Sequence, residues 1–217
     1  VPSAAAPPRP VVAAFDLDGT LTTRDCVTPF LRRLAGRALA RRVVAQPLAF
    51  AWAAARRDRD RLKELATQAL AGLDAAAVGR EGAAFAREVR GAWLRADTLA
   101  RLERHQALGH ATLIVSASYE PYVAPLGELL GVDDVLCTRL EQDSAGRLTG
   151  SLDGPNCRGP EKASRICAWL VEREIEDVVL WAYGDSAGDR ALLDLAEHPV
   201  WVQGVRIAAD PEPRPGT

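Results

Sequence analysis

Val11-Val12-Ala13-Ala14-Phe15-Asp16-Leu17-Asp18-Gly19-Thr20-Leu21-Thr22 reads as a buried strand that runs out into acid. The apolar run has no polar alternation, the pattern of a strand covered on both faces of a sheet. Its two carboxylates stand two residues apart, and residues two apart in a strand point the same way. Gly19 then permits a sharp turn. A central strand therefore delivers Asp16, and with it Asp18, to the carboxyl edge of a sheet, where open α/β proteins hold their ligands. Two like charges so close are costly unless a cation or a shared proton offsets them. A plain strand followed by an Asp-Gly turn has the same local sequence, so the reading depends on whether the rest of the chain supplies a phosphate site.

The chain has 217 residues, 48% of them hydrophobic, enough for one core plus an insert. Its formal net charge of -2 gives no reason to expect nucleic acid or an anionic membrane as partner. Cys26, Cys137, Cys157 and Cys167 form no C-x-x-C pair and no zinc spacing, which suggests reduced thiols and a cytoplasmic location. Cys157 reads as an inert loop thiol. His105, His110 and His198 are scattered and read as surface or helix-end residues, so a histidine metal site is not expected. The apolar segment from Val43 to Ala55 falls short of the ~18 residues needed to span a bilayer, so no stable membrane insertion is expected. Residues 1–10, rich in Pro and Ala, read as a disordered lead-in without the features of a signal peptide.

After the first strand, helix formers dominate from Thr28 to Arg101. Pro47 should end or kink a helix, Arg56 to Arg61 reads as a solvated corner, and Gly72-Leu73-Asp74 as a helix end and restart. A crossover between parallel strands needs far less chain, since a whole βαβ unit takes ~30 residues. The excess is an inserted helical domain. It leaves from the sheet edge that carries Asp16 and is placed to cover it. The α/β pattern then resumes, with a helix over Thr98–Leu108 and a strand over Ala111–Val115 that is terminated by Ser116-Ala117-Ser118. A helix from Glu120 to Leu130 follows. Val135–Glu141 and Arg147–Leu152 read as a hairpin around Asp143-Ser144-Ala145-Gly146. A loop from Asp153 to Pro160, a helix over Glu161–Arg173, a buried strand over Val178–Tyr183 and a short helix over Arg190–Ala196 come next. A last strand, Val200–Val202, closes the core. The expected division is 11–24 and 98–205 for an α/β core, 25–97 for a helical cap and 206–217 for a tail.

Three strands thus end in polar groups: Asp16/Asp18, Ser116/Ser118 and Asp185/Asp189. In a parallel sheet such strand ends lie side by side. Carboxylates without His or Cys make a hard oxygen site, suited to Mg²⁺ together with a substrate phosphate. Lys162, opening a helix after a Gly-Pro loop, adds a point charge to that helix's own positive end.

With these motifs in this order, the chain resembles the haloacid-dehalogenase superfamily of phosphatases, in the phosphoserine phosphatase-like branch with a helical C1-type cap. The likeness spans about Val11 to Gly204. Its motifs are Asp16-Leu17-Asp18-Gly19-Thr20, Ser116, Lys162 and Gly184-Asp185-Ser186-Ala187-Gly188-Asp189. The resemblance implies a Rossmann-like parallel sheet with an inserted cap and a small hairpin, a Mg²⁺ cofactor and a small phosphomonoester substrate. It implies that Asp16 is the nucleophile, that Asp18 is the acid and base, and that Asp16, Asp18 (by its carbonyl), Asp185 and Asp189 serve the metal. Gly19, Ser116, Ser118 and Lys162 would bind phosphate, and Asp25 and Asn156 would meet the substrate. Asp25 serves equally well as a helix cap. Ala66 falls where phosphoserine phosphatases carry a cap arginine for the substrate carboxylate, with Arg61 or Lys63 as substitutes, and Ala117-Ser118 replaces a double glycine. These departures weigh against phosphoserine. The apolar Val43–Trp52 segment, with Phe50 and Trp52, reads first as cap core or a dimer contact and second as a surface for an apolar phosphate ester. Phosphoserine phosphatase proper, a lysophospholipid-type phosphatase and a non-enzymatic phosphoryl acceptor remain as alternatives. A monomer and a homodimer are equally open.

Overall fold

The computed structural model describes residues 9–56, 58–202 and 207. The expected lead-in up to residue 8 and the expected tail apart from Ile207 lie outside the described residues, as do Arg57 and the side chain of Phe50. Arg9 and Pro10 do not share the disorder expected of the lead-in. Arg9 pairs with Asp177 and Glu197, and the Pro10 carbonyl accepts from Val179 N at 2.9 Å.

The first strand, β1 (Val11–Phe15), leads into four helices: α1 (Val27–Ala45), α2 (Pro47–Ala55), α3 (Arg59–Thr67) and α4 (Ala75–Ala92). The α/β part continues with α5 (Ala96–Ala107), β2 (Ala111–Tyr119), α6 (Glu120–Leu130), β3 (Asp134–Gln142), β4 (Leu148–Asp153), α7 (Pro160–Glu172), β5 (Val179–Gly184), α8 (Arg190–Leu195) and β6 (His198–Trp201). The sheet order is β4-β3-β2-β1-β5-β6, parallel throughout except for β4. β1 is central, and its residues alternate between two cores. Val12 and Ala14 pack with Ile166, Trp169 and Leu192, whereas Ala13 and Phe15 pack with Leu102, Tyr122 and Leu126. The near-continuous apolar run is thus a strand buried on both faces.

Two differences from the sequence reading bear on the site. β2 does not stop at Val115. It runs on to Tyr119 through a register shift against β3 between Ser116 and Tyr119. The Ser118 amide donates to Ser116 Oγ at 3.0 Å, so the serine hydroxyl serves the backbone across the irregularity. The last strand starts earlier than expected, at His198, and ends at Trp201.

The inserted helices are fastened unevenly. Gly82 of α4 lies against the Pro121 carbonyl of α6 with no room for a Cβ. Phe30 of α1, Phe85 of α4 and Tyr122 of α6 form one aromatic cluster. The β3–β4 hairpin props up the junction before α4: Gly72 N donates to Leu148 O at 2.8 Å, and Ala75 N to Gly146 O at 2.9 Å. The far end of α1, beyond a kink at Ala35, carries α2, which packs on α1 and α3.

Candidate active site

Asp16 is the first residue past β1, and its amide still donates to Tyr183 O at 2.9 Å, in step with β5. The chain then coils tightly through Leu17–Leu21, with Gly19 at φ +86°. A Cβ on Gly19 would lie within 2.8 Å of the Asp185 carboxyl carbon, so both conformation and space require glycine. Gly184 is equally confined, since a Cβ there would come 2.5 Å from that of Asp189. The strand ends of β1 and β5 thereby bring Asp16, Asp185 and Asp189 together, with ligand oxygens within 4.8 Å of one another.

Lys162 stands in the first turn of α7, after Pro160, and is buried. Its ammonium donates to Asp16 Oδ1 and, at 2.6 Å, to Asp189 Oδ1. Burial works against that charge, but Asp16 and Asp189 together outweigh it and hold the pKa above the ordinary lysine value. Asp189 is drawn the opposite way. Burial raises its pKa, yet Lys162 and the Ser186 amide and hydroxyl more than reverse this and leave it below the ordinary value. Asp16 gains less. Burial dominates and pushes it up to about 7, despite Lys162. Asp185 is also raised, first by burial and then by Asp189. One lysine cannot neutralise three carboxylates, and the residual charge falls on Asp16 and Asp185. A hard divalent cation fits this all-oxygen donor set and would restore Asp16 to its ionised form.

Asp18 faces the same cavity. Its Oδ1 accepts from Cys26 N at 2.8 Å, and its Oδ2 meets the Ser118 hydroxyl. Burial keeps its pKa raised even against these bonds. Ser116 lines the cavity, whereas Ser118 is turned away from it toward Asp18. Asp25 lines the cavity and also caps α1, accepting from Val27 N at 3.3 Å and Thr28 N at 3.0 Å. Asn156 is held at the rim. Its carbonyl accepts from Lys63 Nζ at 2.7 Å and Thr138 Oγ1 at 2.8 Å, and its amide donates to Asp60 at 2.5 Å.

The cavity encloses about 640 Å³. Its floor is the acidic cluster with Lys162, and one wall is apolar, with Val27, Leu31, Leu62 and Ala66. Lys63, on α3, is a half-buried cation lining the cavity. Its ammonium lies 4.4 Å from the centre of the Tyr119 ring and donates to Ala117 O and Asn156, while burial pushes its pKa down to about 7. Arg59 and Arg158 also line the cavity and were not foreseen. The corner is solvated as expected, with Arg56, Arg59, Asp60 and Arg61 exposed and Asp58 capping α3 by accepting from Arg61 N. Arg59 borders the cavity from this exposed side, and Lys63, one turn on, is half-buried. A charged run carries no sign of which member faces in.

His105 stands in the last turn of α5, a helix-end residue as expected, but it is fully buried and not at the surface; its ring meets the Tyr183 hydroxyl at 2.9 Å and His110 Nδ1 at 2.8 Å. Cys157 lies in the loop before α7, and burial pushes its thiol pKa up to about 11, in keeping with an inert thiol; it is packed in the core, with its Sγ 3.4 Å from Leu136 O. The described cysteines are all free.

Comparison with known proteins agrees with this geometry. A family model described as haloacid dehalogenase-like hydrolase matches residues 13–194. The chain belongs to that family. This hydrolase is 38% identical over 203 residues to "Protein CicA" of Caulobacter vibrioides, covering 92% of this chain and 87% of that one. It is 35% identical over 107 residues to a "Histidinol-phosphatase" of Neisseria meningitidis, covering 46% of this chain and 47% of the other. Among solved structures, a Bordetella pertussis protein of unknown function superposes with a TM-score of 0.69 at 23% identity, over 86% of this chain and 87% of that one. A substrate-bound phosphoserine phosphatase does so at 0.59 and 19%, over 88% and 84%. The fold of the hydrolase is therefore that of phosphoserine phosphatases, and among its described residues no helix is long and apolar enough to cross a membrane.

Proposed function

We propose that the protein is a Mg²⁺-dependent phosphatase that hydrolyses a small phosphomonoester through an aspartyl-phosphate on Asp16. The observation that carries this reading is the cluster of buried Asp16, Lys162 and Asp189 with half-buried Asp185 on the floor of the cavity. Asp16 attacks phosphorus, forming an Asp16 O–P bond as the bond from phosphorus to the ester oxygen breaks. Asp18 gives its proton to the departing alkoxide and then takes one from the water that cleaves the acyl phosphate. Its raised pKa suits the first of these roles. To reach the ester oxygen its carboxyl must release Cys26 N or Ser118. Lys162 and Ser116 hold phosphoryl oxygens, with Gly19 allowing the backbone to come close. Asp16, Asp185, Asp189 and the Asp18 carbonyl would hold Mg²⁺, which would supply charge neutralisation at the phosphoryl group.

The substrate is a phosphate ester of a small polar alcohol. Asp25 offers an anion to an amino group, and Lys63 offers the cation that Ala66 does not. The names of the compared phosphatases, for phosphoserine and histidinol phosphate, are both phosphate esters of amino alcohols. Asn156 shapes the rim between Asp60 and Lys63. Free thiols accord with a cytoplasmic enzyme.

The test is phosphate release from a panel of amino-alcohol, sugar and lipid monophosphates, with and without Mg²⁺, with Asp16→Asn as control. Release that requires both Mg²⁺ and Asp16 is expected. Metal binding without turnover on any ester would sink the reading in favour of a phosphoryl acceptor.

A further inference from the structure

Between Asp25 and Asp58 the chain carries seven of its 27 basic residues, all arginine, and none of its 29 acidic ones. The whole-chain charge of -2 conceals this block. The block is α1 and α2 with the two arginines that follow, and beyond the kink at Ala35 most of its described residues are exposed. Where they meet, large apolar side chains stand in water: Val44 is 80% exposed, Leu48 84% and Trp52 52%. α2 carries no charged residue within Pro47–Ala55. Arg56 lies over the Trp52 ring at 4.4 Å, and Arg37 and Arg41 are exposed on α1 behind the tip. Arg33 reaches across to Glu81 and Glu88 of α4, while among the described residues Arg32, Arg37 and Arg41 form no ion pair.

We infer that the α1–α2 tip is a docking surface for an anionic lipid bilayer. Aliphatic and indole side chains at a helix tip, ringed by unpaired guanidinium groups, match the boundary between acyl chains and anionic headgroups. A tryptophan with a cation on its ring suits that layer in particular, because the indole is apolar on its faces and polar at its N–H. Nucleic acid would use the arginines but would leave Val44 and Leu48 facing phosphate. A protein partner would need acidic side chains around an apolar centre, and the acid-free block offers no second copy of this chain a matching charge. The insertion is shallow, since neither helix can span. Val43 belongs both to the tip and to the wall of the catalytic cavity, so docking sets the cavity mouth beside the lipid surface.

Vesicle flotation of the full chain tests this. The probes are phosphatidylcholine vesicles with and without phosphatidylglycerol, at low and high salt. Binding is expected only with phosphatidylglycerol, and it should fall steeply as salt rises. Leu48→Glu and Arg41→Glu should each weaken it by about tenfold or more without changing the thermal melt, since both side chains are in solvent. Three results would overturn the inference: no flotation with phosphatidylglycerol at low salt, flotation that both variants leave unchanged, or a homodimer that Leu48→Glu converts to monomer. Tighter binding to an oligonucleotide than to the vesicles would also overturn it, by reassigning the arginines to nucleic acid.

Discussion

On the cavity floor, charge is crowded and buried. Asp16 and Asp189 share one lysine, and Gly19 and Gly184 have no room for a single added carbon. On the helical wall above, charge is spread and mostly solvated, and Gly36 has open space around it where the floor glycines have none. The floor is made by strand ends whose relative positions the pairing of β1 with β2 and β5 fixes. The wall is made by helices whose rotation depends on caps and on a few packing contacts. The difference teaches that chemistry and selectivity sit on supports of different stiffness. Substitutions on the floor should therefore act on turnover, and those on the wall on binding.

The largest effect expected of that contrast is at Asp16. Asp16→Asn removes the nucleophile while keeping its shape, and phosphate release should fall by about 10⁴-fold or more. Asp18→Asn comes next, with a loss of about 10²–10⁴-fold. Because the first step can still proceed slowly, phosphoprotein should accumulate with labelled substrate. A variant that turned over normally would show that Asp18 is not the acid and base of the reaction. Gly19→Ala forces a side chain onto Asp185 at a positive φ. It should lower activity and metal affinity together, read by activity against Mg²⁺ concentration.

Below the floor, the buried His105 permits a test on stability alone. Burial, with His110 and Arg101 adding to it, pushes its pKa down to about 4. Between the ordinary value of 6.5 and 4, the unfolded chain takes up a proton that the folded chain refuses. Stability is therefore lost as pH falls through that window, by about 3 kcal/mol at full effect. Thermal melts from pH 7 to 4 should show the loss in the parent and a smaller one in His105→Gln. An equal slope in both would place the titration elsewhere.

The floor was legible in the sequence because strand ends obey a simple rule. An apolar run that ends in polar groups must surface at the carboxyl edge, and three such runs in one parallel sheet, two ending in acid and one in serine, must converge. Asp16, Asp185, Asp189 and Ser116 came together on that rule. Lys162 was legible from its helix position alone. The wall was not legible, for the converse reason. The Asp58 cap marks where α3 begins, and no spacing in the charged run distinguishes the half-buried Lys63 from the exposed Arg61. The two roles open to Asp25 have a similar origin, since the same carboxylate both caps α1 and faces the cavity. Ser118 was misleading in yet another way. Strand periodicity gives it the same face as Ser116, but the register shift lets its hydroxyl turn to Asp18. The net charge hid the acid-free arginine block, because an average over 217 residues cannot show where the charges lie.

Lys63 is where floor and wall meet, and it sets the smallest and most discriminating test. Its ammonium is held among Ala117 O, Asn156 and the Tyr119 ring, at a pKa lowered to about 7 by burial. A lysine whose folded pKa lies below its unfolded value destabilises the fold. The penalty is complete below pH 7 and fades as pH rises toward the ordinary 10.5. Nothing in packing requires the charge there, so its retention points to a use in binding an anionic group of the substrate. Lys63→Met should therefore raise the melting temperature at pH 6 and leave it nearly unchanged near pH 10. It should raise KM by about tenfold with kcat changed far less, as expected for a contact made equally in ground and transition states. The KM of the parent should rise above pH 7, where the ammonium loses its proton, and Lys63→Met should abolish that rise. If instead kcat falls with KM unchanged, Lys63 belongs to the floor, and the division between a rigid chemical base and a tunable wall fails at this residue.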